Sequence, residues 1–453
     1  MKLLFIQDAL VNAGAERSHL EILSRFSDQL DVTLVYFYPK HELKAEYEKS
    51  GIRLIFLDIA ESYHFPLAIS RLVKLIRKEK PDLLISSLWR ADQITRIASL
   101  ISGVPLIGTL VNDSYAPISW KDKKGLKYKG VYWLDRLTSG IPKHWIANAQ
   151  ALADSHVKTL GLEADKISVV YRGRSVPVIA PARRGGRTEG TKQSINKSKD
   201  CFVVPPRNDG GFVIARTRYE DEAISTNEQN IYQFISYGRL LERKGFQDAI
   251  QAFALVIQKY PNCNLTIYGE GPYRSNLENL ITSLGLTDCV KLPGKFNSGS
   301  NNFSLKDKQI ATSSLGTPRS RKLSGDDPAP IAPNLSSLNL LLSSNCFLFP
   351  SWYEGFSGAL VEAMMAGIPI IASDIPMNLE AVTADINALT FPVKDVKALT
   401  QKMLYAIENP DRMAELGKAA RLEAIQRFDI EKIAKEYEEL LHVIASVRRG
   451  GRK

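Results

Sequence analysis

The stretch Phe349-Pro-Ser-Trp-Tyr-Glu-Gly-Phe-Ser-Gly-Ala-Leu-Val-Glu-Ala-Met-Met-Ala-Gly-Ile-Pro-Ile-Ile-Ala-Ser sets two carboxylates, Glu354 and Glu362, around a glycine-rich turn. An apolar run ends at Pro350, Gly355 and Gly358 permit a tight exposed backbone, and a helical pattern begins near Gly358. The first amides of a helix lack intrahelical partners, and the helix dipole adds to their attraction for an anion. The backbone of Gly355, Phe356, Ser357 and Gly358 is therefore the expected cradle for a diphosphate. Glu354 is expected in the loop above it and Glu362 one turn inside the helix, where each carboxylate can accept hydrogen bonds from sugar or ribose hydroxyls. Spacing alone fits equally a helix-start charge and a solvated helix face.

A second constellation is Ser236-Tyr-Gly-Arg-Leu-Leu-Glu-Arg-Lys-Gly-Phe. Gly238 and Arg239 follow an apolar run, and Lys244 with Gly245 opens the next helical pattern. In a doubly wound sheet, ligands bind beyond the carboxyl ends of the strands. That rule directs Arg239 and Lys244 at the same crevice as the 355–358 amides, Arg239 forking onto phosphate oxygens and Lys244 adding a point charge. Taken singly, each fits a surface cation as well. Tyr268-Gly-Glu-Gly-Pro, with Gly271, follows another apolar run. Gly14, in Asn12-Ala-Gly-Ala-Glu-Arg, follows the first. Both fit simple turn chemistry as well as a close approach of backbone to ligand.

These residues need strands to end at them. Residues 1–180 alternate short apolar runs (Lys2-LLFIQ, Val32-TLVYF, Leu83-LIS, Pro105-LIGTLV, His144-WIAN) with helical patterns over 14–27, 66–79, 90–101, 130–139 and 150–160. Strand then helix, repeated, gives right-handed crossovers and a parallel sheet covered on both faces. The pattern restarts at Gln233-FISYG and runs through Asn264-LTIYG, Val290-KLPG, Cys346-FLFPS and Ile368-PIIAS. The expected class is α/β, with two doubly wound Rossmann-like domains facing across a cleft. The N-terminal one spans 1–180 and the C-terminal one 230–430, followed by a helix and basic tail over 431–453. Segments 181–229 and 297–333 are rich in Gly, Ser, Asn, Arg and Pro without sustained periodicity, and resemble translated bacterial palindromic repeats; loop or disorder is expected there.

Bulk properties narrow the field. The chain has 453 residues, 44% hydrophobic and 24% charged, enough for full cores. The opening apolar run stops at Gln7 and Asp8, too short for a signal peptide core or a membrane span, so a cytoplasmic location is expected. Cys201, Cys263, Cys289 and Cys346 lack zinc or disulfide spacing. The net charge of +10 comprises +6 in residues 1–180 and +2 in each of 181–229 and 297–333, the remainder being neutral. A nucleic-acid stripe along the whole chain is not expected.

The set Gly14-Ala-Glu-Arg, Gly238-Arg-Leu with Lys244-Gly, Gly269-Glu-Gly-Pro, and Glu354-Gly-Phe-Ser with Glu362-Ala resembles family 4 of the retaining glycosyltransferases, of the GT-B fold. The resemblance spans all but the two odd segments. It implies a nucleotide-sugar donor, such as a UDP- or GDP-sugar, held by the C-terminal domain, and a glycan or lipid-linked acceptor held mainly by the N-terminal one. Arg239 and Lys244 would stabilise the departing diphosphate, Glu354 and the 355–358 backbone would hold donor sugar and phosphates, and Glu362 would bind ribose. Gly14 would lie against the phosphates, with Gly271 on the donor side. Retention without a metal or other cofactor is implied, and the chain has no Asp-x-Asp, so protein cations and amides must meet the leaving charge. Where many relatives carry a histidine after the fifth strand, this chain reads Leu110-Val-Asn-Asp, so Asn112 or Asp113 would take that sugar-contacting place.

Lys121, Lys123, Lys124, Lys127 and Lys129 alternate with Trp120, Leu126, Tyr128, Tyr132 and Trp133. Such a pattern suits the anionic inner face of a membrane carrying a lipid-linked acceptor, or a solvated loop. The expected function is sugar transfer in cell-surface polysaccharide, lipopolysaccharide or glycolipid assembly. The alternatives are a catalytically impaired nucleotide-sugar-binding protein and a GT-B epimerase or phosphorylase.

Overall fold

The computed structural model describes residues 1–61, 64–115, 125–177, 231–295 and 335–450. The expected insertions at 181–229 and 297–333 lie outside the described residues, as do Trp120, Lys121, Lys123, Lys124 and the last three residues of the basic tail.

The first domain runs β1 (Lys2–Gln7), α1 (Gly14–Leu23), β2 (Asp31–Tyr36), α2 (Lys44–Lys49), β3 (Arg53–Phe56), α3 (Phe65–Glu79), β4 (Leu83–Ser87), α4 (Trp89–Ser102), β5 (Leu106–Leu110), α5 (Leu126–Thr138), β6 (His144–Ala147), α6 (Gln150–Leu160) and β7 (Ile167–Val169). Its sheet is parallel, in the order β3-β2-β1-β4-β5-β6-β7. The reversal at β1/β4 opens a crevice at their carboxyl ends. The central strands β4 and β5 are buried along their whole length, as a sheet covered on both faces requires. In α3, Ala68, Leu72, Val73 and Ile76 fall on one face and supply the cover, while Lys74, Arg77 and Lys78 stay outside.

The second domain contains β8 (Tyr232–Tyr237), α7 (Phe246–Lys259), β9 (Cys263–Tyr268), α8 (Arg274–Ser283), β10 (Val290–Gly294), α9 (Leu335–Leu342), β11 (Cys346–Phe349), α10 (Gly358–Ala366), β12 (Ile370–Ser373), α11 (Pro376–Leu379), β13 (Leu389–Phe391), α12 (Val396–Glu408) and α13 (Pro410–Phe428). Its parallel order is β10-β9-β8-β11-β12-β13, with the switch at β8/β11. The last helix, α14 (Ile430–Gly450), crosses back: Ile430, Ile433, Tyr437 and Leu441 are buried with Leu3, Leu20 and Leu23 of the first domain. Arg25 pairs with Glu431 at 2.6 Å on this seam.

Three strands, β3, β7 and β13, escape the sequence patterns. Each is an edge strand of three or four residues, and β3 and β7 are only partly buried, so neither length nor alternation marks them. Helix α5 starts four residues before the expected position, at Leu126. Its first turn has no acidic residue and no capping side chain, so the usual start signals are missing.

Candidate active site

Strand β8 hands the chain to Gly238 and Arg239, then to a tight turn over Glu242–Lys244 that ends at Gly245. Gly245 takes φ +67°, and a Cβ there would overlap the Pro350 carbonyl. Only glycine lets this turn lie against the end of β11. The turn thereby delivers Lys244 Nζ to Glu354 Oε1, which also accepts from Ser351 Oγ at 2.8 Å, while Arg243 Nη1 stands 3.9 Å from Glu354 Oε2. Burial of Glu354 would raise its carboxyl, but Lys244, Arg243 and the Ser351 hydroxyl outweigh that and hold it below the usual carboxylate range. Arg239 is exposed and, among the described residues, has no carboxylate within ion-pair distance.

Beyond Glu354, a Cβ on Gly355 would overlap the Val111 carbonyl, so the glycine lets this loop touch the end of β5 in the other domain. Phe356 turns inward and is 1% exposed, packed on Tyr171 and Phe428 with ring centroids 5.1 and 5.2 Å away. Its part in any ligand site is limited to its backbone. Ser357 precedes α10 with extended backbone, and its side chain caps none of the helix amides. The helix start thus keeps amides that no side chain caps. Glu362 is committed on both oxygens: Oε1 accepts from Arg174 Nε at 2.7 Å and Oε2 from the Tyr237 hydroxyl at 2.9 Å.

On the first domain, Gly14 opens α1 with no capping side chain, and a Cβ there would lie 3.5 Å from Arg172 Nη1. Glu16, in the same turn, is buried. Burial raises its carboxyl, partly offset by Arg172 and by Arg239 of the other domain. Asp113 is turned toward α6, where its Oδ1 accepts from Ser155 Oγ at 2.9 Å. Asn112 is the exposed member of the pair, with its Cα 3.6 Å from where a Gly355 Cβ would stand. Gly271 packs its backbone on Leu240, where a Cβ would overlap the Leu240 carbonyl, so it serves the meeting of the β8 and β9 loops. Lys127, Lys129 and Trp133 lie on α5, and Tyr132 donates to the Thr159 carbonyl at 2.8 Å. Among the described residues, no helix is long and apolar enough to cross a membrane, and no cluster of side chains suits a metal ion.

The carboxyl ends of β1, β5, β8 and β11 therefore converge on one cleft that gathers Gly14, Asn112, Arg239, Lys244, Glu354 and the start of α10. The Glycosyltransferase Family 4 model matches residues 13–176, and the Glycosyl transferases group 1 model matches 218–312 and 335–423. The chain belongs to the group 1, family 4 glycosyltransferases. An uncharacterized glycosyltransferase of Methanocaldococcus jannaschii is 25% identical over 49% of this chain and 53% of its own length. The chain thus spans about half of that relative's length. A UDP-Gal:alpha-D-GlcNAc-diphosphoundecaprenol alpha-1,3-galactosyltransferase of Escherichia coli is 22% identical over 82% of this chain and 77% of its own. The structure of Anabaena HepE in complex with UDP-glucose superposes with a TM-score of 0.68 at 19% identity, over 98% of this chain and 100% of that one. The fold is GT-B, two Rossmann-like domains facing across a cleft.

In this family 4 chain the segment that follows β7 adds two arginines, Arg172 and Arg174, that the motifs do not include. Arg172 is 9% exposed and, with the Asn148 amide oriented to satisfy its neighbours, donates Nε and Nη2 to the Asn148 oxygen at 3.1 Å each. Burial, reinforced by Arg174, lowers the Arg172 guanidinium to about 10, against the pull of Glu354 and Glu16. Arg174 joins two helices: besides Glu362 of α10, its Nη1 reaches Glu21 Oε2 and Ser18 Oγ of α1, both at 3.3 Å, and its guanidinium fills the space a Gly358 Cβ would need. The only signal in the sequence is Tyr171-Arg-Gly-Arg at the end of the first domain, two cations flanking a glycine where a crossover is due.

Proposed function

We propose that the protein transfers a sugar from a nucleotide-sugar donor, a UDP- or GDP-sugar, to a hydroxyl of a glycan or lipid-linked acceptor in cell-surface polysaccharide or glycolipid assembly. The observation that carries this reading is the uncapped start of α10 after β11 together with Arg239 after β8, whose charge is unpaired among the described residues, both at the carboxyl ends of neighbouring strands of the second sheet. The donor diphosphate rests on the amides of 355–358. Arg239 forks onto it, and Lys244 trades its Glu354 partner for phosphate oxygens as charge grows on the leaving group. Glu354, released, accepts hydrogen bonds from the sugar, and Glu362 accepts from ribose. The bond from the anomeric carbon to the phosphate oxygen breaks while the acceptor oxygen bonds to that carbon on the same face. The acceptor proton passes to the leaving phosphate oxygen, so configuration is retained and no metal is used. The names of the Escherichia coli and Anabaena proteins, a UDP-Gal galactosyltransferase and a UDP-glucose complex, support this donor class. The exposed aromatic and basic residues of α5 favour work at the inner membrane face.

The test is incubation of the full chain with UDP- and GDP-sugars and a lipid-linked glycan extract, reading nucleotide release and the anomeric proton coupling of the product. Release with retained configuration supports the reading. Nucleotide binding without turnover makes the chain a binding protein, inverted product sinks the same-face step, and absence of any nucleotide binding refutes the site.

A further inference from the structure

Two arginines follow β7, and the fold treats them differently. Arg174 faces the carboxylates of Glu21 and Glu362. Arg172 is nearly as buried, at 9% exposed, yet among the described residues no carboxylate stands within ion-pair distance of it. The two carboxyls that attract it from farther off are engaged elsewhere: Glu354 by Lys244 and Ser351, and Glu16 by its own backbone amide. A buried arginine is almost always paired, because an opposite charge must offset the cost of taking it out of water. Burial and the neighbouring Arg174 both press against the charge of Arg172, and an anion at this place relieves both.

The contacts of the guanidinium indicate which anion. Nε and Nη2 both donate to the Asn148 oxygen at 3.1 Å, which fixes the plane of the group. Nη2 also lies 3.5 Å from the Val111 carbonyl, the same oxygen that a Gly355 Cβ would overlap. Nη1 makes no hydrogen bond among the described residues and stands 3.5 Å from where a Gly14 Cβ would be. The guanidinium therefore bridges the two glycine turns, one in each domain, that the proposed donor site sets against the diphosphate. Helix α1 opens at Gly14 without a capping side chain, so the Gly14 and Ala15 amides offer donors beside Nη1. A planar fork of N–H groups matches phosphate oxygens.

We infer that Arg172 is a third cation of the donor site, supplied by the first domain, and that its Nη1 binds diphosphate oxygens between Gly14 and Gly355. The inference rests on the proposed transfer reading and adds to it a grip on the leaving group from the domain opposite Arg239 and Lys244. As the bond from the anomeric carbon to the phosphate oxygen breaks, the charge left on the diphosphate is met from both domains.

The experiment is isothermal titration of the full chain with UDP and GDP, together with saturation-transfer NMR using uridine and guanosine. The parent is expected to bind at least one diphosphate and its nucleoside. Arg172→Gln, which removes the charge, should weaken that diphosphate about 30-fold and leave the nucleoside signal unchanged. Arg172→Lys keeps the point charge without the fork, so it should recover most of the loss and stay within about 3-fold of the parent. Arg172→Met is the neutral variant to read if Arg172→Gln does not fold. An arginine that only supports the fold would not separate phosphate from nucleoside. Unchanged diphosphate binding in the neutral variant overturns the inference, as does an equal loss of diphosphate and nucleoside, or a loss in Arg172→Lys as large as in the neutral variant. Parent binding with unchanged variants sinks the role of Arg172 alone. A parent that binds neither UDP nor GDP refutes the donor-site reading and this inference with it.

Discussion

Replacing Arg174 by Met keeps most of the side-chain volume and removes one buried charge. The guanidinium is 8% exposed and faces Glu21 and Glu362, which keep 18% and 23% of their side-chain exposure. Breaking a buried ion pair by deleting one partner costs about 3 to 5 kcal/mol, and the partial exposure of both carboxylates places this case near 3. A domain of 150–250 residues loses about 2–4 °C of Tm per kcal/mol, so the variant should melt about 6 to 12 °C lower at pH 7.5. The pH dependence separates this cause from lost packing. Burial already raises the Glu21 carboxyl against the pull of Arg174, so the folded state binds its proton more readily than the unfolded chain does. Stability from such a group is full below the unfolded pKa and is lost as pH rises through the folded one. Without Arg174 the folded value rises further, so the deficit should be largest at neutral pH and shrink toward pH 4. Differential scanning calorimetry from pH 4 to 8 measures it. A deficit that is the same at every pH, or a Tm within 2 °C of the parent, would refute the charge argument.

Lys244→Met should lower kcat about 100-fold or more, measured with saturating donor, since it removes one cation from the leaving diphosphate, and it should also lower Tm, since it leaves the buried Glu354 without its nearest cation. Gly245→Ala should destabilise the second domain, because φ +67° and the Pro350 carbonyl both reject a Cβ; urea denaturation followed by Trp352 fluorescence reads this. Burial holds His19 neutral to about 3, so from there to its ordinary 6.5 the unfolded chain binds more protons and stability falls with falling pH; His19→Gln should flatten that limb. Asp8 acts with the opposite sign: burial raises it to about 7, so its contribution is lost as pH rises through 7, and Asp8→Asn should gain stability at pH 8 relative to pH 4. Dialysis against EDTA should leave the transfer rate unchanged.

The two parallel sheets and the start of α10 were legible because they rest on local rules: apolar runs of four to six residues, helical periodicity, and glycines where backbone must turn tightly. Arg239 and Lys244 were legible because a doubly wound sheet sends whatever follows its strands to one edge. What stayed hidden depends on long-range placement. Arg174 meets Glu362 across 188 residues, and nothing near either residue announces the other. Asn112 and Asp113 are neighbours in one loop, and it is the Ser155 hydroxyl, 42 residues on, that engages Asp113 and leaves Asn112 the exposed one. Gly271 and Phe356 sit inside ligand-like motifs, yet Gly271 meets the Leu240 backbone and Phe356 fills the seam with Phe428. A motif fixes where the backbone goes; the side chains on it answer to the neighbours that the rest of the fold supplies.

Glu362 shows how such neighbours bear on the proposed chemistry. Both of its oxygens are already hydrogen-bonded, which at first looks like an occupied site. A carboxylate has about four acceptor positions, two on each oxygen. Arg174 Nε takes one on Oε1 and the Tyr237 hydroxyl takes one on Oε2, leaving one acceptor on each oxygen for a pair of vicinal ribose hydroxyls. Tyr237 is fully committed, since burial and the adjacent Glu362 push its hydroxyl well above the usual range and keep it a donor. The two existing bonds fix the plane of the carboxylate, so its remaining acceptors have a set direction before nucleotide arrives. Arg174 also holds Glu21 and Ser18 of α1, the helix that Gly14 opens, so the same guanidinium that orients the ribose carboxylate positions the opposite wall of the donor cleft. The ribose and phosphate halves of the proposed site are thereby tied through Arg174, and the loss expected for Arg174→Met should fall on donor affinity as well as on stability.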